Sequence, residues 1–129
     1  TKKNKFTKVL GVTVLTSLNK NQTKKYFKDK NVNLVVNKFA RYAKKNGLDG
    51  LVCSPLEIKT VRKQVGKKMI IVVPGIRPEN DLIIKNDDQK RILTPKEAIN
   101  LGADFVVIGR PIVESKDPLL TIKKINQSI

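Results

Sequence analysis

The chain has 129 residues, 27 of them lysine or arginine against 11 acidic, for a net charge of +16, with no histidine and one cysteine, Cys53. Without an imidazole, histidine-dependent serine or cysteine hydrolysis and histidine-built zinc sites are excluded, and a single cysteine excludes an internal disulfide or a paired-cysteine metal site. The length suits one domain covering 1–129, and the Thr at position 1, in place of a methionine, predicts a processed or truncated start.

Residues 1–7 are polar and basic and read as a tail or the remains of a preceding helix. From Val9 the run VLGVTVLTSL is apolar and rich in β-branched residues, which predicts a strand over 9–15 covered on both faces and ending in Thr16-Ser17. The polar stretch Asn19–Asn31 reads as a loop or short helix over the mouth of whatever the strands form. Val32, Val35, Val36, Phe39, Tyr42 and Ala43 then recur at helical spacing, with Gly47 as the stop.

Residues 49–53 predict a short buried strand holding Cys53 as a small core residue. Ser54-Pro55-Leu56-Glu57 combines a cap serine, a proline at the first helical position and a glutamate three residues on, a capping box. Ile58, Val61 and Val65 give the helix it opens a buried stripe, and Gly66 closes it. Met69–Val73 predicts a third strand, which runs into Pro74-Gly75-Ile76-Arg77-Pro78. The polar segment Glu79–Ile92 has the length of a functional lid or a disordered loop. Thr94-Pro95-Lys96-Glu97 repeats the capping chemistry and opens a short helix ending at Gly102.

The stretch LGADFVVIGRP, residues 101–111, predicts a fourth strand over 105–109 that delivers Arg110 at its C-terminal end. Gly109 permits a close backbone approach, and Pro111 biases Arg110 toward an extended conformation. A guanidinium presented there suits a phosphate or carboxylate. Asp117-Pro118 caps a last helix with Leu119, Ile122, Ile125 and Ile129 on its apolar side.

Strand and helix therefore alternate four times, which predicts parallel strands with helical crossovers, an α/β fold. Four units are too few for a closed (β/α)₈ barrel, so they form either a small open sheet or half a barrel. Their irregular lengths and the shared direction of their special residues favour the half. At the C-terminal strand ends stand Thr16 and Ser17, then Ser54, then Pro74-Gly75-Ile76-Arg77, then Gly109-Arg110. In such barrels a phosphate site is often built after the last two strands, where this chain has two glycine–arginine turns.

VTVLTS (12–17), GLDGLVCS (47–54), VVPGIRP (72–78), DQKRILTP (88–95) and GADFVVIGRPI (102–112) stand in the order of the C-terminal half of a bacterial orotidine 5′-phosphate decarboxylase, which the chain resembles over nearly its whole length. The resemblance implies strands 5–8 of a (β/α)₈ TIM barrel, a homodimer when full length, and conversion of orotidine 5′-phosphate to UMP and CO₂ without metal or organic cofactor. It implies that Gly109 and Arg110 hold the 5′-phosphate and that Arg77 binds or frames the nucleotide. Pro74 would line the pyrimidine pocket, Thr16 would contact the base, and Gln89, on a closing loop over 79–91, would bridge phosphate and base. The Asp-x-Lys-x-x-Asp motif that carries the family's chemistry is missing here, so no catalytic residue is assigned and the chain alone is expected to be inactive. Glu79–Asp87 is longer than is usual in the family and carries Leu82, Ile83 and Ile84, which leaves the conformation of the lid open.

Two rivals remain on the sequence. One is another phosphosugar barrel of the same superfamily, of the keto-gulonate-phosphate decarboxylase or hexulose-phosphate synthase type. The other is a basic nucleic-acid-binding domain, which only the charge supports. Against it, just five of the 27 cations are arginines, the lysines are spread through every polar segment, and 5% aromatics offer few stacking surfaces. No apolar run approaches the ~20 residues of a membrane span. The composition reads as a cytoplasmic protein without a nucleic-acid or membrane partner.

Overall fold

The computed structural model describes residues 6–14, 18, 20–28, 31–78 and 93–129. Four parallel strands, β1 (Leu10–Val12), β2 (Gly50–Val52), β3 (Ile70–Pro74) and β4 (Phe105–Val107), lie side by side in chain order. The predicted strands are present, the first and fourth shorter than expected: Thr13 prolongs the pairing of the first by donating its N–H to Val52 O at 3.0 Å, and the fourth stops at Val107, because Gly109 already caps the helix that follows. The connections carry α1 (Lys20–Phe27), α2 (Val32–Lys45), α3 (Ile58–Val65) and α4 (Pro95–Asn100); α5 (Arg110–Val113) and α6 (Pro118–Gln127) follow β4.

Thr94 and Asp117 cap through their side chains, whereas Ser54 takes part only through its backbone N–H. Thr94 N–H donates to Glu97 Oε2 at 2.8 Å while Glu97 N–H returns to Thr94 Oγ1 at 3.3 Å. Asp117 Oδ1 accepts from Leu120 N–H at 3.0 Å. Ser54 N–H donates to Glu57 Oε2 at 3.1 Å, and Pro55–Glu57 forms a single 3₁₀ turn leading into α3. Asn31, not recognised as a cap in the sequence, accepts from Asn33 and Leu34 N–H and opens α2.

Register assigns the strand residues to faces. Leu10 pairs with Gly50 and Gly50 with Ile70; Val12, Val52, Val72 and Phe105 form the next row, and Pro74 pairs with Val107. Side chains alternate across a strand, so the intervening Leu51, Ile71 and Val73 point the other way, and these are fully buried. They pack on Val36 and Ala40 of α2, Ile58, Val61 and Val65 of α3 and Ala98 of α4, with Cys53 in the same core. Each of these helices lies against the strand that follows it in the chain or the one just before, with α2 on β2, α3 on β3 and α4 on β4. Only glycine fits at position 50, where a Cβ would stand 2.7 Å from Leu10 Cδ2 and on the carbonyl oxygen of Ile70.

At the N-terminal end of the sheet a single guanidinium ties three segments together. Arg62 of α3 donates from Nη1 to Gly66 O (2.7 Å) and Met69 O (2.8 Å), and from Nε and Nη2 to Gly102 O (3.0 and 2.7 Å). Nη2 also meets Asp104 Oδ2 at 2.5 Å, and that oxygen accepts Ile71 N–H at 2.7 Å. The end of α3, the start of β3 and the turn into β4 are thereby fixed to one another.

Candidate functional site

Of the six buried polar residues described, Ser54 and Glu57 follow the C-terminal end of β2, Arg77 follows that of β3, and Thr94 is brought beside it by the Ile76–Leu93 bridge. A carboxylate, a guanidinium and two hydroxyls withdrawn from water need partners, so this end of the sheet is where the chain invests its polar groups. Glu57 is anchored by the Ser54 N–H, and Thr94 by Glu97, whose carboxyl is held below its ordinary range chiefly by the Thr94 N–H and then by the Thr94 hydroxyl. The Ser54 hydroxyl has no hydrogen-bond partner among the described residues.

Pro74 is the last residue of β3, half-buried on the row with Val72 and opposite Val107. Gly75 follows with φ of 77°, a left-handed conformation suited to glycine. This bend lets Ile76 form a parallel bridge with Leu93, and Arg77 N–H donates to Leu93 O at 3.0 Å. Arg77 is only 4% exposed, and its Nη1 donates to Ile76 O at 3.1 Å.

Gly109 and Arg110 follow β4 after Ile108, at the neighbouring C-terminal strand end, and both are exposed. Arg110 is not extended as Pro111 led us to expect: it is the first residue of α5. The reason is local. Gly109 O accepts from Ile112 and Val113 N–H at 2.9 and 3.1 Å, and Arg110 O accepts from Glu114 N–H at 2.9 Å. Those bonds outweigh the pre-proline bias, and Pro111 loses no bond because a first-turn N–H has no helical acceptor. Around Gly109 a Cβ would meet nothing within 4 Å, so the close approach its glycine permits is not imposed by neighbours of this chain.

Thr16, Ser17 and Gln89, with the whole segment 79–91, lie outside the described residues. The structure thus brings Pro74, Arg77, Gly109 and Arg110 to the ends of two paired strands and bears on no other predicted site residue. Cys53 is not part of the site: burial pushes its thiol up to about 12, helped by the nearby Glu57 carboxylate. Sequence reasoning saw Glu57 only as a cap and missed its complete burial; its place directly after a strand end was the available signal.

Four parallel strand–helix units define half of a (β/α)₈ barrel, a fold whose ligands bind at the strand C-termini, where this chain has its two arginine turns. The sequence model of the Orotidine 5′-phosphate decarboxylase / HUMPS family matches residues 1–125, and the chain belongs to this family. It is 44% identical over 121 residues to orotidine 5′-phosphate decarboxylase of Glaesserella parasuis, covering 94% of this chain and 51% of that protein. The Coxiella burnetii enzyme of the same name is also 44% identical over 121 residues, with 50% of its length covered. A crystal structure of orotidine 5′-phosphate decarboxylase from Lactobacillus acidophilus superposes with a TM-score of 0.74 at 32% identity, over 94% of this chain and 48% of that one. The archaeal enzyme from Pyrococcus horikoshii, 19% identical with a TM-score of 0.65, shares the fold. The chain spans about half the length of the curated relatives it matches.

Proposed function

We propose that residues 1–129 form one domain, the substrate-binding half, strands 5–8, of an orotidine 5′-phosphate decarboxylase. In the complete barrel the bond from the pyrimidine ring to its carboxylate breaks, CO₂ leaves, and the electron pair stays on the ring carbon until a lysine protonates it. That lysine belongs to an Asp-x-Lys-x-x-Asp strand of a complementary half, so this half supplies binding. Gly109 and Arg110 hold the 5′-phosphate, Arg77 helps to bind or frame the nucleotide, and Pro74 lines the pyrimidine pocket. Thr16 contacts the base, while Gln89, on a loop over 79–91 that closes on the ligand, links base and phosphate. The reaction needs no metal or organic cofactor, UMP is released in the cytoplasm, and the full-length enzyme is a homodimer.

The observation that carries this reading is the pair of glycine–arginine turns at adjacent strand ends, one guanidinium buried and the other exposed. Binding energy at a phosphate remote from the reacting carbon lowers the barrier when it is used to orient and desolvate the substrate. The test is thermal protection of a barrel completed by a complementary half. UMP raises its Tm and ribulose 5-phosphate does not. The reverse pattern assigns the chain instead to the phosphosugar enzymes that share the family, and protection by neither ligand removes both readings.

A further inference from the structure

The net charge of the chain is unevenly placed. Residues 1–78 hold 19 of the 27 cations and three of the 11 acidic residues, which accounts for the whole of the +16, whereas residues 79–129 hold eight of each. The spread of lysines along the chain spoke against a nucleic acid as partner, but the acids that would offset them are not spread with them. We propose that the outer face of α2 and α3 binds double-stranded nucleic acid through its phosphates, without reading sequence.

The fold gathers the unopposed cations. Helices α2 and α3 pack side by side, and Lys44 Nζ reaches across to donate to Gln64 O at 3.4 Å. Lys38, Arg41, Lys44 and Lys45 of α2 and Lys59 and Lys63 of α3 are all exposed. Residues three, four and seven apart share one side of a helix, so Lys38, Arg41 and Lys45 make one row and Lys59 and Lys63 another. Residues 31–78 contain just two carboxylates, and neither offsets these rows: Glu57 is buried, and Asp49 accepts Val9 N–H and pairs with Lys8 at 3.5 Å. Arg62 shares α3 with the second row but is engaged by Asp104 and three backbone carbonyls. The face that remains is of one sign.

The chemistry of the face selects its occupant. Lysine is a flexible point charge that suits phosphate, and protein–protein interfaces are depleted in it and favour arginine and aromatic residues. The two helices expose one aromatic ring, Tyr42, and one leucine, Leu34. That is too little to stack the bases of a single strand or to enter a lipid surface. The dimensions agree with a duplex. The 14 residues of α2 span about 21 Å, over which a double helix carries about 12 phosphates, roughly half of them on the side toward the protein. Six exposed cations meet that number. In a (β/α)₈ barrel the helices form the outer ring, so this face stays open with or without a complementary half, and the inference is independent of the chemistry proposed above.

Fluorescence anisotropy of a labelled duplex titrated with the chain provides the test, with RNA and DNA forms of two unrelated sequences. Affinity falls by roughly 10³-fold between about 50 and about 200 mM salt, as release of counterions by about six phosphate contacts requires. It differs by less than about tenfold among the four duplexes, because phosphate contacts carry no sequence information. Lys45→Gln combined with Lys63→Gln takes one cation from each row and reduces the slope of log affinity against log salt by about 1.8. Lys116→Gln combined with Lys124→Gln, at exposed positions in the neutral part of the chain, lowers the net charge equally and leaves binding as it was. Where the first pair loses helical circular dichroism, Lys59→Gln decides, with a reduction of about 0.9. No binding at the lower salt, a salt-independent Kd, equal losses in the two double variants, or a larger preference for one duplex overturns the proposal. Binding to phosphatidylserine vesicles or to poly-glutamate without binding to any duplex overturns it as well, in favour of a membrane or an acidic protein.

Discussion

The two ends of β3 and β4 contrast in how their arginines are used. At the N-terminal end Arg62 spends its five N–H groups on three backbone carbonyls and Asp104, and nothing in that arrangement faces a ligand. At the C-terminal end Arg77 is buried against its own turn, and Arg110 stands exposed beside an open glycine. In a (β/α) barrel the first end bears on stability and the second on ligands. Under the proposed function the same residue type serves both, and its neighbours decide which.

Substitution separates the two roles. In a barrel completed by its complementary half, Arg110→Ala lowers kcat/KM by at least ~100-fold, the loss of one charge-assisted phosphate contact of about 2–3 kcal/mol. The urea midpoint stays close to that of the parent. An unchanged kcat/KM would remove Arg110 from the site. Arg62→Lys gives the opposite result: an ammonium cannot reproduce the planar fork, buried carbonyls and Asp104 lose partners, and stability drops by about 2–3 kcal/mol. This reads out as a lower urea midpoint with UMP affinity of the folded fraction intact. A change in affinity without loss of stability would merge the two ends into one functional unit.

The smallest effect is expected in acid. Asp49 is held below its ordinary value mainly by accepting Val9 N–H at 2.8 Å, with Lys8 adding to this, and Glu97 is lowered by Thr94. A depressed folded-state pKa stabilises above the unfolded value, near 3.8 for Asp49 and 4.5 for Glu97, and that stability is lost as pH falls through the folded value. Urea midpoints measured from neutral pH downward decline below these values. Asp49→Asn flattens the part of the decline that belongs to the N-terminal end, and Glu97→Gln the part from the C-terminal end. Equal declines in parent and variants would dissociate both carboxylates from acid sensitivity.

Much of the fold was legible because its signals are local. Ser54-Pro55, Thr94-Pro95 and Asp117-Pro118 each mark a helical start, and apolar runs between glycines mark β2, β3 and β4. The Arg62 clamp was not legible, since Gly102 and Asp104 lie 40 and 42 residues away and nothing in the helix pattern distinguishes Arg62 from a solvated cation. Arg110 could be placed at a strand end but not given its conformation, because the hydrogen bonds of α5 override the proline rule. The burial of Arg77 depends on Leu93, which returns to β3 only after the long segment between them.

Strand order has a kinetic consequence. Because β1, β2, β3 and β4 are neighbours in space in the order of their synthesis, each strand leaving the ribosome meets an edge laid down before it, but every pairing spans a helical crossover, from Leu10 to Gly50, Gly50 to Ile70 and Val72 to Phe105, so the sheet closes slowly. The guanidinium of Arg62 binds Gly66 and Met69 almost as soon as they appear, but its remaining donors and the Ile71 N–H stay hydrated until residues 102–104 emerge. The clamp is therefore a late latch, set when the fourth strand arrives, and it converts three strands that have already met into a sheet that no longer readily opens.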